Sequence, residues 1–196
     1  MKNLFYLFIA VSLITILISD TSYSQVELKP AAGINFNSYS QDPEAGTTSA
    51  RVGWQFGGTI SYGDKLYGEG GIFWSYKSNE FSATDTNFTF NTDISGIRIP
   101  VMVGYHLLGK ETGLVGLRAF GGASLFLITS VDAEGLTKDD FTSPTYGVFL
   151  GAGLDISLFF LDLKYEWSLS DVSSVTSFDV GKSTSFFING GVRISI

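Results

Sequence analysis

From Phe159 to Leu169 apolar and polar side chains alternate without a fault. Phe159, Leu161, Leu163, Tyr165, Trp167 and Leu169 fall on one face, and Phe160, Asp162, Lys164, Glu166 and Ser168 fall on the other. A repeat of two residues, with both signs of charge confined to one side, marks a β-strand; a helix would scatter both sets around its axis. At ~3.3 Å per residue the stretch is roughly 35 Å long, and tilted by ~45° it rises about 25 Å, the height of an outer-membrane apolar band.

The same alternation recurs and predicts eight strands: about 26–37, 51–62, 66–77, one ending near 107, 113–128, 146–157, 159–169 and 185–196. Glu27 and Lys29 oppose Leu28, Ile34 and Phe36 in the first, and Arg51 opposes Val52, Trp54 and Phe56 in the second. Arg98, Pro100, Met102 and His106 oppose Ile97, Ile99, Val101, Val103 and Tyr105 in the fourth. Hairpin turns must keep partners on one face. Gly63-Asp64-Lys65 is expected to pair Tyr62 with Leu66, and a Leu158-Phe159 turn to pair Ser157 with Phe160 and Ile156 with Leu161. The connections 38–50, 78–91, 129–145 and 170–184 are long and polar, and they alternate with the short ones. That asymmetry fits long surface loops and short periplasmic turns.

The predicted fold is all-β, an eight-stranded antiparallel up-and-down transmembrane β-barrel. A soluble lipocalin-like barrel would hide its apolar face and wet its charged one. The membrane reading is preferred because each polar face is thin in charge and because the rings fall near the strand ends. Trp54, Trp74, Tyr76 and Trp167 lie towards the long loops, with Tyr62 and Tyr105 towards the short turns, as in two interfacial girdles. The lumen is then expected to hold an ion network of Glu27, Lys29, Glu69, Arg98, Arg118, Asp155, Asp162, Lys164, Glu166 and Arg193, with Arg51 and Lys77 on the same phase. Asp155, Asp162 and Arg193 are expected to meet on neighbouring strands and to be joined by Lys29. Such charges must pair or stay wet, and a barrel of this size is just wide enough for side chains to fill it. The expectation is a plugged tube.

Composition agrees with a β-protein in lipid: 16% charged residues, 23 Gly and 15% aromatics. With no Cys, a disulfide or thiolate metal site is excluded. The net charge of −7 argues against nucleic acid. Met1-Lys2-Asn3, the apolar run Leu4–Ile18 and Ser22-Tyr23-Ser24 read as a signal peptide over 1–24, cleaved between Ser24 and Gln25, with the barrel domain over 25–196. The apolar run is shorter than the ~20 residues of a spanning helix.

The stretch Ile97-Arg98-Ile99-Pro100-Val101-Met102-Val103-Gly104-Tyr105 resembles the isoleucine–proline strand of PorT-like outer-membrane β-barrel proteins. Gly147–Gly153 followed by Phe160-Leu161-Asp162-Leu163-Lys164-Tyr165 is similar to that family's late hairpin, and Gly190-Gly191-Val192 also fits. The resemblance covers nearly all of the chain after Gln25 through loose patterns. It implies an eight-stranded outer-membrane barrel, without a defined activity for most members; the founding member is associated with a secretion and gliding apparatus. The terminal Ile196 departs from the aromatic residue that ends many such barrels.

Candidate chemistry is sparse. The only His, His106, lies on the lumen phase near a short turn, away from the long-loop end where lipid-modifying barrels act, and no nucleophile pairs with it. Asp132, Glu134, Asp139 and Asp140 crowd the third long loop, and Asp42 and Glu44 the first, without the spacing of a calcium loop. The Gly-rich stretches precede no helix and so are not phosphate cradles. The sequence thus predicts no catalytic, cofactor or metal residues. It predicts a monomeric barrel in outer-membrane lipid whose long loops meet an envelope protein partner, with a small-solute or apolar-molecule transporter as the alternative and a lipid-modifying enzyme behind both.

Overall fold

A computed structural model describes residues 26–39, 46–50, 52–83, 89–109, 114–132, 143–171 and 182–196. Its strands are β1 (Val26–Tyr39), β2 (Gly46–Ala50), β3 (Val52–Gly63), β4 (Leu66–Ala83), β5 (Thr89–Leu108), β6 (Val115–Asp132), β7 (Thr145–Ile156), β8 (Phe159–Asp171), β9 (Lys182–Val192) and β10 (Ile194–Ser195). β1 and β3 to β9 follow one another as antiparallel neighbours, and β1 pairs back onto β9. The result is a closed barrel of eight staves. The two short strands extend it: β10 carries the last stave past Arg193 along β1, and β2 pairs with the far end of β4.

Several expected loops are therefore wall. β4 and β5 stay paired as far as Ser82 and Thr89, and β6 stays paired with β5 as far as Asp132. Backbone groups that find partners in a ladder need no solvent, so the hairpin continues as long as its two strands face one another. Arg51, Asp42, Glu44, Glu134, Asp139, Asp140 and the segment 1–25 lie outside the described residues.

Two turns differ in register from the expectation. Gly63 pairs with Tyr67, and Tyr62 with Gly68 rather than Leu66. Gly63 takes φ +130°, which a residue without Cβ adopts freely, so it belongs to the ladder. Ile156 pairs with Phe159, which makes Ser157-Leu158 the turn. Ser157 supplies the left-handed conformation there, at φ 54°. Both shifts are of two residues, so every side chain keeps its face.

Prolines interrupt the wall twice. Pro100 has no N–H, and the β4–β5 ladder skips Gly71 and Ile72 opposite Ile99 and Pro100. Pro30 marks a second gap, where β9 gives way to β10. There the Arg193 N–H turns away from β1 and donates to the Leu158 carbonyl at 2.7 Å.

The two faces differ completely in charge. No Asp, Glu, Lys or Arg occupies an outward position within 28–36, 52–62, 66–76, 97–107, 115–127, 146–156, 159–169 or 184–194. Outward Ile72, Val101, Val103, Leu150 and Leu163 are exposed, while inward Arg98, Lys29, Asp162 and Lys164 are buried. Burial is inverted relative to a water-soluble protein.

Candidate functional site

Among the described residues, chemistry-bearing side chains converge in the lumen and occupy it level by level. At the short-turn mouth, Arg193 donates through Nη2 to Glu27 Oε1 at 2.6 Å and through Nε to Glu27 Oε2 at 3.3 Å. Its Nη1 lies 3.1 Å from Asp155 Oδ2. One guanidinium thus bridges β1 and β7 at the joint where Pro30 leaves the backbone ladder open. His106 donates from Nδ1 to the Asp64 carbonyl at 2.9 Å, and its Nε2 lies 4.0 Å from Asp155 Oδ2. The carbonyl can only accept, so the hydrogen bond fixes a proton on Nδ1. His106, Gly109, Leu114, Gly116, Asp155 and Arg193 border a recess of about 160 Å³ here.

One level further in, Arg118 is the hub. It donates from Nε to Asp155 Oδ2 at 2.8 Å, from Nη2 to Asp162 Oδ1 at 2.8 Å and from Nη1 to Tyr67 Oη at 3.1 Å. β6 is thereby tied to β7, β8 and β4. Gly153 makes room: a Cβ there would lie 2.5 Å from Asp162 Oδ1 and 2.8 Å from Arg118 Nη2. Lys29 meets Glu69 at 2.6 Å, and Thr59 Oγ1 donates to the same carboxylate at 2.7 Å. Lys164 Nζ lies 3.7 Å from Asp162 Oδ2. Lys29 was expected beside Asp155, Asp162 and Arg193; it reaches Glu69 on β4 instead, because Arg118 already takes both aspartates.

Above this, Met102, Phe120 and Phe149 pack together on the axis. Arg98, fully buried, donates to Glu166, which also accepts from Ser124 Oγ at 2.8 Å. The guanidinium is flanked by the rings of Phe187 and Phe149, with centroids at 4.4 and 5.4 Å. Such stacking on a flat cation is favourable where water is excluded. Towards the long loops, Gln55 donates to Asn189 at 2.5 Å, Asn37 to Asn35 at 2.7 Å and Ser185 to Asn37 at 2.6 Å. Lys77 Nζ sits 4.6 Å above the Phe126 ring. Phe126, Ile128 and Ile94 are buried beside this level.

All ten ionic residues named from the sequence for the lumen point inward, and Arg118 links Asp155 and Asp162 directly. Trp54, Trp74 and Trp167 point outward near the long-loop end, and Tyr62 and Tyr105 outward near the short turns. Tyr76 stacks on Trp54 with centroids 5.7 Å apart. The sequence reading passed over the inward rings Tyr67, Phe73, Phe120, Phe126, Phe149 and Phe187. Their signal was parity: Phe120 shares its phase with Arg118 and Ser124, as Phe187 does with Asn189. No cluster of potential metal ligands occurs among the described residues.

A closed stave ring with an uncharged apolar exterior and a polar, filled interior defines a small outer-membrane β-barrel. The sequence matches the family model of the outer membrane protein beta-barrel domain over residues 19–174, and the chain belongs to that family. Among solved structures, the fold is similar to the outer membrane protein OprG from Pseudomonas aeruginosa, with TM-score 0.52, 11% identity, and coverage of 88% of this chain and 95% of that one. It is also similar to Neisserial surface protein A, with TM-score 0.51, 16% identity, and coverage of 86% and 97%. No curated protein sequence matches the chain. The protein is an outer-membrane β-barrel.

Proposed function

We propose that this barrel is a plugged structural or interaction component of the cell envelope, with partner recognition carried by the connections at the long-loop end. One observation carries the reading. Arg98, with no accessible surface, reaches across the tube from β5 to Glu166 on β8 between two phenyl rings, directly above the Met102–Phe120–Phe149 cluster. A hydrated ion finds no continuous aqueous path past such a level. The resemblance to PorT-like barrels supports a place beside secretion machinery. His106 engages a turn carbonyl at the short-turn end, an arrangement that supports a structural role over acid–base catalysis. Replacing His106 with Ala leaves lipid A composition unchanged on this reading, and a lost modification would revive an enzyme.

The test is paired. Purified protein in planar bilayers gives no large, stable conductance, and crosslinking in intact envelopes captures a stoichiometric envelope protein. Sustained ohmic current would overturn the plug, and lack of any partner in envelopes would overturn the interaction role.

The transporter reading has one observation in its favour. The β4–β5 ladder is unpaired at Gly71, Ile72, Ile99 and Pro100, which gives the wall a weak seam at mid-height. A small apolar solute could leave sideways there. Locking the seam with a disulfide between Cys residues placed at Ile72 and Ile99 would abolish uptake if that reading holds.

A further inference from the structure

The outward face of β4 carries two glycines in succession. On β4 the side chains of Leu66 and Ile72 are separated by outward Gly68 and Gly70. A Cβ at Gly68 would meet nothing within 4 Å, and one at Gly70 would come no nearer than 3.9 Å to the Pro100 carbonyl. Both flanks are high: Tyr62 and Ile60 stand opposite these glycines on β3, and Val103 and Val101 on β5, all more than half exposed. The floor is bare backbone between two apolar ridges. At ~3.3 Å per residue, Leu66 and Ile72 are about 20 Å apart along the strand. Tilted by ~45°, that groove rises roughly 14 Å, close to half of a ~30 Å hydrocarbon core.

The groove opens at the turn joining β3 to β4. Asp64 and Lys65 are consecutive in that turn, one acidic and one basic. Lys65 is exposed, and its Nζ lies over the outward ring of Tyr105 at 5.6 Å from the centroid. A cation held over an aromatic at the interface is placed for a lipid phosphate, and the neighbouring carboxylate for a lipid ammonium. A smooth stave would offer an acyl chain no recess, and an uncharged turn would offer the headgroup no complement.

We propose that this groove is a binding site for one zwitterionic phospholipid of the periplasmic leaflet. Its acyl chain lies along Gly68 and Gly70, its phosphate meets Lys65, and its primary ammonium meets Asp64. The site lies on the outer wall, away from the long loops, and touches the lumen only where the Asp64 carbonyl accepts from His106 Nδ1.

The test uses the full protein in nanodiscs of equimolar phosphatidylethanolamine and phosphatidylglycerol, released for native mass spectrometry. The wild type retains one phosphatidylethanolamine in preference to phosphatidylglycerol. Lys65→Gln lowers retention about fivefold, the worth of one lysine near a lipid phosphate. Asp64→Asn moves the preference towards phosphatidylglycerol. Gly68→Leu/Gly70→Leu fills the groove and abolishes retention, while Gly190→Leu, on another outward stave, leaves it intact. Heat-modifiable migration reports whether each variant is folded, and the exposed-turn variant Lys65→Gln keeps the proposal testable should the double leucine variant fail to fold. Equal retention by Lys65→Gln and the wild type, or no preference between the two lipids, would overturn the assignment. Crosslinking of two copies through this face would assign the groove to a second barrel and overturn it equally.

Discussion

The two halves of the lumen are sealed by different physics. Towards the short turns, Arg193, Arg118, Lys29 and Lys164 are laced to Glu27, Asp155, Asp162 and Glu69 by charge-assisted contacts that link β1, β4, β6, β7 and β8. Towards the long loops, phenyl rings and neutral amides predominate, with the cation Lys77 held over the Phe126 ring and with Arg98 and Glu166 at the boundary. A buried ion pair is costly to desolvate and costlier to break, because the survivor is left uncompensated. A ring packed among rings leaves only a volume to refill. The short-turn half should therefore be intolerant of single losses and the long-loop half forgiving of conservative ones.

The sharpest break of that contrast is Arg118→Met. It takes the shared guanidinium from Asp155 and Asp162, leaving them only Arg193 and the more distant Lys164, and should lower stability by about 3–5 kcal/mol, read as a fall in the urea midpoint of the folded barrel in lipid vesicles. A loss below ~1 kcal/mol would mean that the carboxylates rehydrate through the mouth and that the charges are not sealing anything. Next comes a charge on the wrong face. Leu163→Arg, near mid-height on the outward side of β8, should cost about 2–4 kcal/mol in the same assay, while Lys164 one residue away is native to the interior. Ser124→Ala removes one hydrogen bond to the boundary carboxylate Glu166 and should cost about 1.5–3 kcal/mol. Phe187→Leu, in the forgiving half, should cost less than ~1.5 kcal/mol and leave conductance at baseline. If Phe187→Leu proved as damaging as Arg118→Met, the two halves would not differ in kind.

The same contrast explains what could be read from the chain. Charges are visible against apolar neighbours, so Asp162, Lys164 and Glu166 set the phase of β8 at once, and the other ionic residues followed stave by stave. Phe120, Phe149 and Phe187 were hidden because a ring on the polar phase carries no contrast with the lipid-facing residues beside it. Only its parity relative to Arg118 or Asn189 tells the faces apart. The turns show a different limit. Alternation fixes the face of each residue but not which residue lies across from it, so Gly63 and Ser157 could slide the pairing by two without disturbing any face. The grouping of Lys29 failed for a related reason: adjacency of strands does not say that Arg118 will reach both aspartates first. The pairing of β2 with β4 had no signal in the alternation, since it continues the wall beyond the apolar band.

The most direct measurement exploits the lack of cysteine in this chain. Leu163→Cys and Ile188→Cys, which are paired across β8 and β9, are each spin-labelled in lipid vesicles, and collision with oxygen is compared with collision with a water-soluble nickel chelate. The account predicts strong relaxation by oxygen and near silence towards nickel at both positions. Ready access of nickel to Leu163→Cys and Ile188→Cys would put water on the aliphatic side and contradict the orientation of every stave.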